Sequence, residues 1–452
     1  MTIVSFRSIA LGVALFGLAA VDPVAVHGKV PGKAATKAAE KQTGKPVHAV
    51  AAPLTRTAAL IESYPATQKA PGIVATVGVG DQPTKFLSAG TLSFDAGAPI
   101  ADANTLWRVY SMTKPITAMA AMILIEEGKL KLDQPISDFF PAFKTMTVLV
   151  NGTKDLTARP ATRQITVRNL MTHTAGLGYT IVSTGPLLKA YEAAGITPFT
   201  ANASLEAQMR GARPATLEAF ANKVATLPLI AEPGTKWSYS IGLDVLGAVI
   251  EKASGMPFDT FLKTRIFTPL KMNSTFFTVP QDDAKRLITG YTWFGDKTVP
   301  LDPGATSVYL SPPSFPYGGA GLVMSASDYD RFLHMLQNGG TLDGKRIMKP
   351  QTVALAMSNL LPEGVAYPGA VANTGGAQGP SQGFGAGGSV YLVSLPGGPS
   401  KGTYGWGGAA GTIAWVDPVR KLRATAMVNY IPGEKWPLRP EFTKALYADL
   451  AN

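Results

Sequence analysis

Apolar residues in "TAALIESYPA", residues 57–66, fall at helical spacing and predict a short amphipathic helix. The next stretch, "GIVATVGVGDQPTKFLSAGTLSF" (72–94), holds two β-rich runs on either side of a Gly-Asp-Gln-Pro turn. Strand signals return only near the other end, in "GFGAGGSVYLV", "GTYGWGGAAGTIAWVDP" and "LRATAMVNYI", before a last helical pattern, "RPEFTKALYADLAN". The long middle, about 112 to 380, is dominated by helical patterns and loops. Its helices include "TLEAFANKVATLPL", "GLDVLGAVIEKAS" and "ASDYDRFLHMLQNGG", the last closed by a Gly-Gly stop. Strands from both ends with helices between them predict an α+β fold, one antiparallel sheet built from the two chain ends and flanked by helices, carrying an inserted, mainly helical region. The Gly- and Ala-rich "GVAYPGAVANTGGAQGPSQGFGAGG" reads as a long loop leading into a strand. No internal repeat is present.

Composition supports a packed chain: 46% of the 452 residues are hydrophobic and 16% charged. Residues 1–20, "MTIVSFRSIALGVALFGLAA", place Arg7 ahead of an apolar run too short to span a bilayer, with small residues at its end. That pattern predicts an export signal over 1–28, with cleavage after Ala20 or a few residues on, and hence a periplasmic or secreted protein with no membrane insertion once the signal is removed. Residues 29–52 read as a basic flexible linker, and 53–450 as the folded domain. The formal charge of +11 raises the question of nucleic acid, but residues 1–69 alone carry eight basic against three acidic side chains, close to half of the excess. No nucleic-acid partner is expected. With no cysteine there is no thiolate nucleophile, disulfide or zinc-thiolate site, and no cofactor is implied.

Candidate chemistry starts at "YSMTKPITAMAAM". A proline fits a helix only in its first turn, where backbone N–H groups have no partner, so Pro115 puts Ser111 at or just before a helix start. Free amides there would stabilise negative charge developing beside the serine oxygen. Ser111 and Lys114 lie three apart, within reach across one helical turn, and a lysine in a partly apolar pocket can serve as a general base. On spacing alone, an N-cap serine with a solvated lysine is the better explanation of the pattern.

Context adds to this. "LWRVYSMTKPITAMAAMILIEEGKLKLDQPISDFFPAF", "ITVRNLMTHTAGL", "PGTKWSYSIGLDVLGAVIEKASGMPFDTFL" and "GGAGLVMSASDYDRFLHMLQNGG", in this order, resemble the serine β-lactamase and penicillin-binding-protein superfamily over roughly 70 to 450. The resemblance implies Ser111 as nucleophile, Lys114 as general base and Tyr239 as acid/base partner. It implies Trp406, Gly407 and Gly408 as the substrate-binding strand, and the amides of Ser111 and Ala409 as an oxyanion hole. Two positions depart from the pattern: Ile241 stands where asparagine is usual, and Trp406 where a lysine or histidine opens the third motif. The lysine helps to hold the carboxylate of penicillins and D-alanyl-D-alanine peptides, whereas Trp406 offers an apolar face and one N–H. Both departures are similar to family VIII carboxylesterases, which implies an ester in preference to a lactam. A serine carboxylesterase on small esters is therefore expected; a β-lactamase, a D-alanyl-D-alanine carboxypeptidase or a transacylase of the same fold are the alternatives, and the partner is a small-molecule ester or amide.

Other motifs carry less. "GPSQG" around Ser381 has the nucleophile-elbow pattern but lies in a Gly-rich loop and precedes a strand, not a helix. His173 and His334 read as hydrogen-bonded scaffold, Asp244 and Arg108 as structural supports, and His27 and His48 fall in the leader and linker. The loop from about 180 to 215 is expected to cover the pocket.

Overall fold

The computed structural model describes residues 53–152, 154–370 and 381–451. The expected signal (1–28) and linker (29–52) lie outside the described residues, as do residues 371–380 of the Gly- and Ala-rich loop.

The chain opens with helix α1 (Thr55–Ala66), strand β1 (Gly72–Val79) and strand β2 (Lys85–Gly90), then strand β3 (Leu106–Arg108) and helix α2 (Thr113–Glu126). Helix α3 (Gly242–Ser254), the short strands β4 (Thr275–Phe276) and β5 (Val323–Ser325) and helix α4 (Ala326–Gln337) follow. Strands β6 (Gln382–Phe384), β7 (Ser389–Tyr391), β8 (Tyr404–Gly407), β9 (Ile413–Asp417) and β10 (Leu422–Met427) lead to helix α5 (Leu438–Asp449).

Seven strands form one antiparallel sheet in the order β6-β7-β8-β9-β10-β1-β2. The two chain ends meet at its centre, where β1 pairs with β10 from Val74↔Met427 to Val79↔Leu422. β1 is buried throughout because both faces are covered. Ile73, Ala75 and Val77 point with Ala424 and Ala426 into the layer formed by α1 and α5, and Val74 and Met427 point into the main core around α2. On that inner face Gly78 leaves room for Arg423: a Cβ there would come 2.2 Å from the guanidinium carbon. Arg423 Nε reaches Asp330 of α4 at 2.9 Å and so ties the helix to the sheet.

α2 is buried on every side from Thr113 to Leu124, the pattern of a central helix. It packs on α3 within the main core. The region between the sheet halves is not purely helical, which corrects the expectation that strands occur only near the chain ends. β3, β5 and β4 form a small sheet in that order, and hairpins pair 290–294 with 297–302 and 147–149 with 158–160. Strands of two or three residues are too short to display alternation, and the longer hairpin turns on Gly295, whose φ is +60°.

Arg108, at the end of β3, is the tie beneath the next segment. Its Nε donates to Asp302 Oδ2 at 2.7 Å, its Nη1 to Ile288 O at 2.6 Å, and its Nη2 to Ser307 Oγ at 3.1 Å, while its backbone N–H donates to Asn429 Oδ1 at 3.0 Å. Both members of the Arg108–Asp302 pair are buried. Removing one partner strands the other charge, so Asp302→Ala should destabilise the fold by about 3 kcal/mol or more, read from the denaturation midpoint at unchanged slope.

Candidate active site

Between β3 and α2 the chain makes a tight turn. Tyr110 sits in the left-handed region at φ +42°, an uncommon conformation for a bulky residue that costs on the order of 1–3 kcal/mol. Its buried ring, packed with Ala320 and Ala410, fixes the turn. A single 3₁₀ turn, Tyr110–Met112, then feeds α2, in which Pro115 is the third residue. Ser111 thus lies two residues ahead of the helix, largely buried at 9% exposure.

Lys114 has no exposed surface at all (0%). Its Nζ lies 3.2 Å from Ser111 Oγ and donates to Gly319 O at 2.7 Å. Aromatic faces enclose the rest: the Tyr239 ring centroid is 4.7 Å away and that of Tyr179 5.6 Å. The Tyr239 phenol donates to Ser111 Oγ at 2.7 Å. Ser111, Lys114 and Tyr239, 128 residues apart at the extremes, are therefore brought into one hydrogen-bonded group.

Behind Lys114 stands Asp244, in the first turn of α3 and fully buried. Its Oδ1 accepts from Gly319 N at 2.8 Å, so the Gly319 residue bridges the carboxylate to the amine through its N–H on one side and its C=O on the other. Only glycine fits: a Cβ there would come 2.5 Å from Asp244 Oδ2. Burial raises the Asp244 pKa to about 7, against the pull of the Lys114 charge and the Gly319 N–H.

His173 is buried at φ +56° beside Tyr239, ring centroids 4.7 Å apart. Ser240 N donates to its Nδ1 at 3.2 Å. Burial, with the Lys114 charge, holds its pKa well below the usual histidine range, so the ring is neutral. It touches Tyr239, not Ser111, and acts as scaffold. His334 is paired with Asp81 at 3.2 Å, away from this group. Ser381 stands directly before β6, with no helix after it, so the elbow geometry is absent there.

Across from Tyr239, β8 presents Trp406, ring centroids 6.0 Å apart. Trp406 packs on Phe384 at 5.1 Å and on Tyr367 at 6.3 Å, and Tyr367 on Trp237 at 5.0 Å, so a wall of aromatic rings lines this side. The adjoining glycines have a packing reason in addition to the substrate approach expected of them. A Cβ on Gly408 would come 2.3 Å from Val109 O, and one on Gly407 3.0 Å from Arg439 Nε. The Gly408 backbone is thereby pressed against the segment that carries Ser111. Ala409 packs in the same small apolar cluster as Tyr110, and Phe199, from the loop expected to cover the pocket, joins them. Ile241, in the place where asparagine was expected, is fully buried in the core at the start of α3. No group of three His, Asp or Glu side chains that could hold a metal ion occurs among the described residues.

Sequence spacing did not single out Tyr179, Trp237, Tyr367, Phe384 or the Gly319 bridge. The one available sign was "YGGAGL", where paired glycines mark a close backbone approach.

The beta-lactamase family model matches residues 57–446. Protein Rv1367c of Mycobacterium tuberculosis is 33% identical over 354 residues, 76% of this chain and 82% of that protein. Esterase EstB of Burkholderia gladioli is 30% identical over 387 residues, 79% of this chain and 86% of the esterase. Among solved structures, EstCE1, described as a hydrolase with promiscuous acyltransferase activity, superposes with a TM-score of 0.69 at 26% identity, covering 87% of this chain and 98% of its own.

A carboxyl whose pKa rises on folding contributes stability below its unfolded value that is lost as pH climbs through its folded value. For Asp244 that window runs from 3.8 to about 7. The melting-temperature difference between Asp244→Asn and the wild type should therefore become more positive between pH 4 and pH 8; a difference that stays flat over that range contradicts the shift.

Proposed function

The chain belongs to the beta-lactamase family, and on that premise we propose that it is a serine hydrolase cleaving small uncharged esters through an acyl-enzyme on Ser111. One observation carries the reading: Ser111 Oγ is held by both Lys114 Nζ, at 3.2 Å, and the Tyr239 phenol, at 2.7 Å, in a site whose facing wall is aromatic. In the proposed reaction Ser111 gives its proton to Lys114 in its neutral form and attacks the ester carbonyl carbon, whose π electrons move onto the oxygen. The amides of Ser111 and Ala409 hold that oxyanion. As the intermediate collapses the C–O bond breaks, and the departing alkoxide takes a proton from Tyr239, which Lys114 replenishes. Water then attacks the acyl-enzyme with the same groups in reverse roles, releasing the acid and free Ser111.

The apolar wall supports an ester over a lactam. Trp406, Tyr367 and Phe384 offer no cation to a substrate carboxylate, and the esterase relatives point the same way. Transfer of the acyl group to an alcohol is the second reading, favoured by the acyltransferase activity of EstCE1. The export signal read in residues 1–28 supports action in the periplasm or outside the cell.

Purified protein should hydrolyse short-chain p-nitrophenyl esters and leave a chromogenic cephalosporin nearly untouched; comparable rates on the two would favour the lactam alternative. Intact-mass spectrometry should show one phosphonate adduct on the wild type and none on Ser111→Ala. Lys114→Met and Tyr239→Phe should each lower kcat by ~10²–10⁴-fold, the usual contribution of a positioned acid or base. Alcohol added in the assay separates hydrolysis from transfer by the ratio of acid to new ester.

A further inference from the structure

We infer that Arg439, at the start of α5, is a positioning residue for the oxyanion hole: it grips the carbonyl of the Gly408–Ala409 peptide from behind and so aims the Ala409 N–H at the reacting oxygen. The inference rests on the acyl-enzyme reading above and extends it to a residue outside the three motifs.

The geometry is specific. Arg439 Nη2 donates to Gly408 O, its Nε donates to Thr412 O at 3.3 Å, and its Nη1 pairs with Glu434 at 3.1 Å. The guanidinium lies against the face of β8 that Gly407 leaves bare, so the glycine is what admits it. Trp406 precedes Gly407 on the strand and therefore points to the opposite face, towards Tyr239. Arg439 thus sits behind the strand, with Trp406 on the substrate side.

In a trans peptide the C=O and the following N–H point in opposite directions. The cis peptide bond of the described residues is Ile431–Pro432, so Gly408–Ala409 is trans. A donor fixed on Gly408 O from behind consequently fixes the Ala409 N–H facing forward. The donor is also charged. A cation on the carbonyl draws electron density from the peptide nitrogen and makes its N–H a stronger donor towards developing negative charge. Gly408 N donates to Thr412 O at 2.9 Å and Gly411 N to Gly408 O at 3.1 Å, so the turn has backbone bonds of its own and Arg439 adds a second, charged donor to the Gly408 carbonyl. The additional effect of Arg439 is on orientation and polarisation.

The test compares wild type, Arg439→Met and Arg439→Lys in two readouts: kcat and KM on a short-chain p-nitrophenyl ester, and the rate at which a fluorophosphonate labels Ser111, followed by intact mass. Melting temperatures are recorded for all three. The expected result for Arg439→Met is a fall in kcat and in labelling rate on the order of 10-fold, smaller than the ~10²–10³-fold cost of deleting an oxyanion donor outright, with KM within about twofold. Arg439→Lys, which keeps a charged donor, should recover most of the loss. Unchanged kcat and labelling in Arg439→Met would overturn the inference. So would a loss in which KM rises and the melting temperature falls in step, with no recovery in Arg439→Lys. If the wild type itself takes no label at Ser111, the nucleophile reading fails first and takes this inference with it; a labelled wild type with an undiminished Met variant fails this inference alone.

Discussion

A lysine amine with no contact with water is the constraint around which this molecule is arranged. Lys114 is fully buried, and a polar group in that position demands hydrogen-bond partners. The partners come from five parts of the chain: Ser111 from the turn before α2, Gly319 from the loop before β5, Asp244 from α3, and the Tyr239 and Tyr179 rings from two segments preceding α3. Each has a condition of its own. Gly319 must be glycine because the carboxylate of Asp244 is pressed against it. Tyr239 must keep its ring over the amine, and His173 packs beside it in a neutral form that adds no further charge. The packing of α2 on α3 is thus as much an electrostatic requirement as a hydrophobic one.

The sheet supplies the other side. β8 carries Trp406 forward and Gly407 backward, and the bareness of Gly407 lets α5 reach through with Arg439. Gly408 then presses on Val109, so the strand and the segment carrying Ser111 are held together by backbone contact, without a side chain between them. Beneath, Arg108 joins β3 to the 290–302 hairpin and to Asn429 after β10. Ser111, strand and hairpin consequently share one packed base, the kind of support that the proposed oxyanion site calls for.

How much of this was legible in the sequence depended on distance along the chain. Ser111 and Lys114 lie within one helical turn, and Pro115 marks where that turn begins, so local rules sufficed. The sheet built from both ends followed from where β-rich runs occur. Tyr239 lies 128 residues from Ser111 and was reachable through the resemblance alone. Asp244 was noticed as a support, but its bridge through Gly319 spans 75 residues and leaves only a Gly-Gly pair as a trace. Arg439 has no trace at all: an arginine near a helix start is ordinary, and what distinguishes it is the empty side of a glycine 32 positions earlier. Strands of two and three residues, such as β3, β4 and β5, are set by their neighbours and not by their own pattern.

The meeting of the chain ends at the centre of the sheet also has a meaning in time. Ser111 is made early, but the strand that faces it, the pairing partner of β1 and the helix whose Arg439 reaches Gly408 all lie beyond residue 400. A growing chain therefore carries Ser111 for most of its synthesis without the strand and helix that surround it in the folded protein. The surroundings of Ser111 are complete only when residues 404–449 have packed against those from residue 72 onwards.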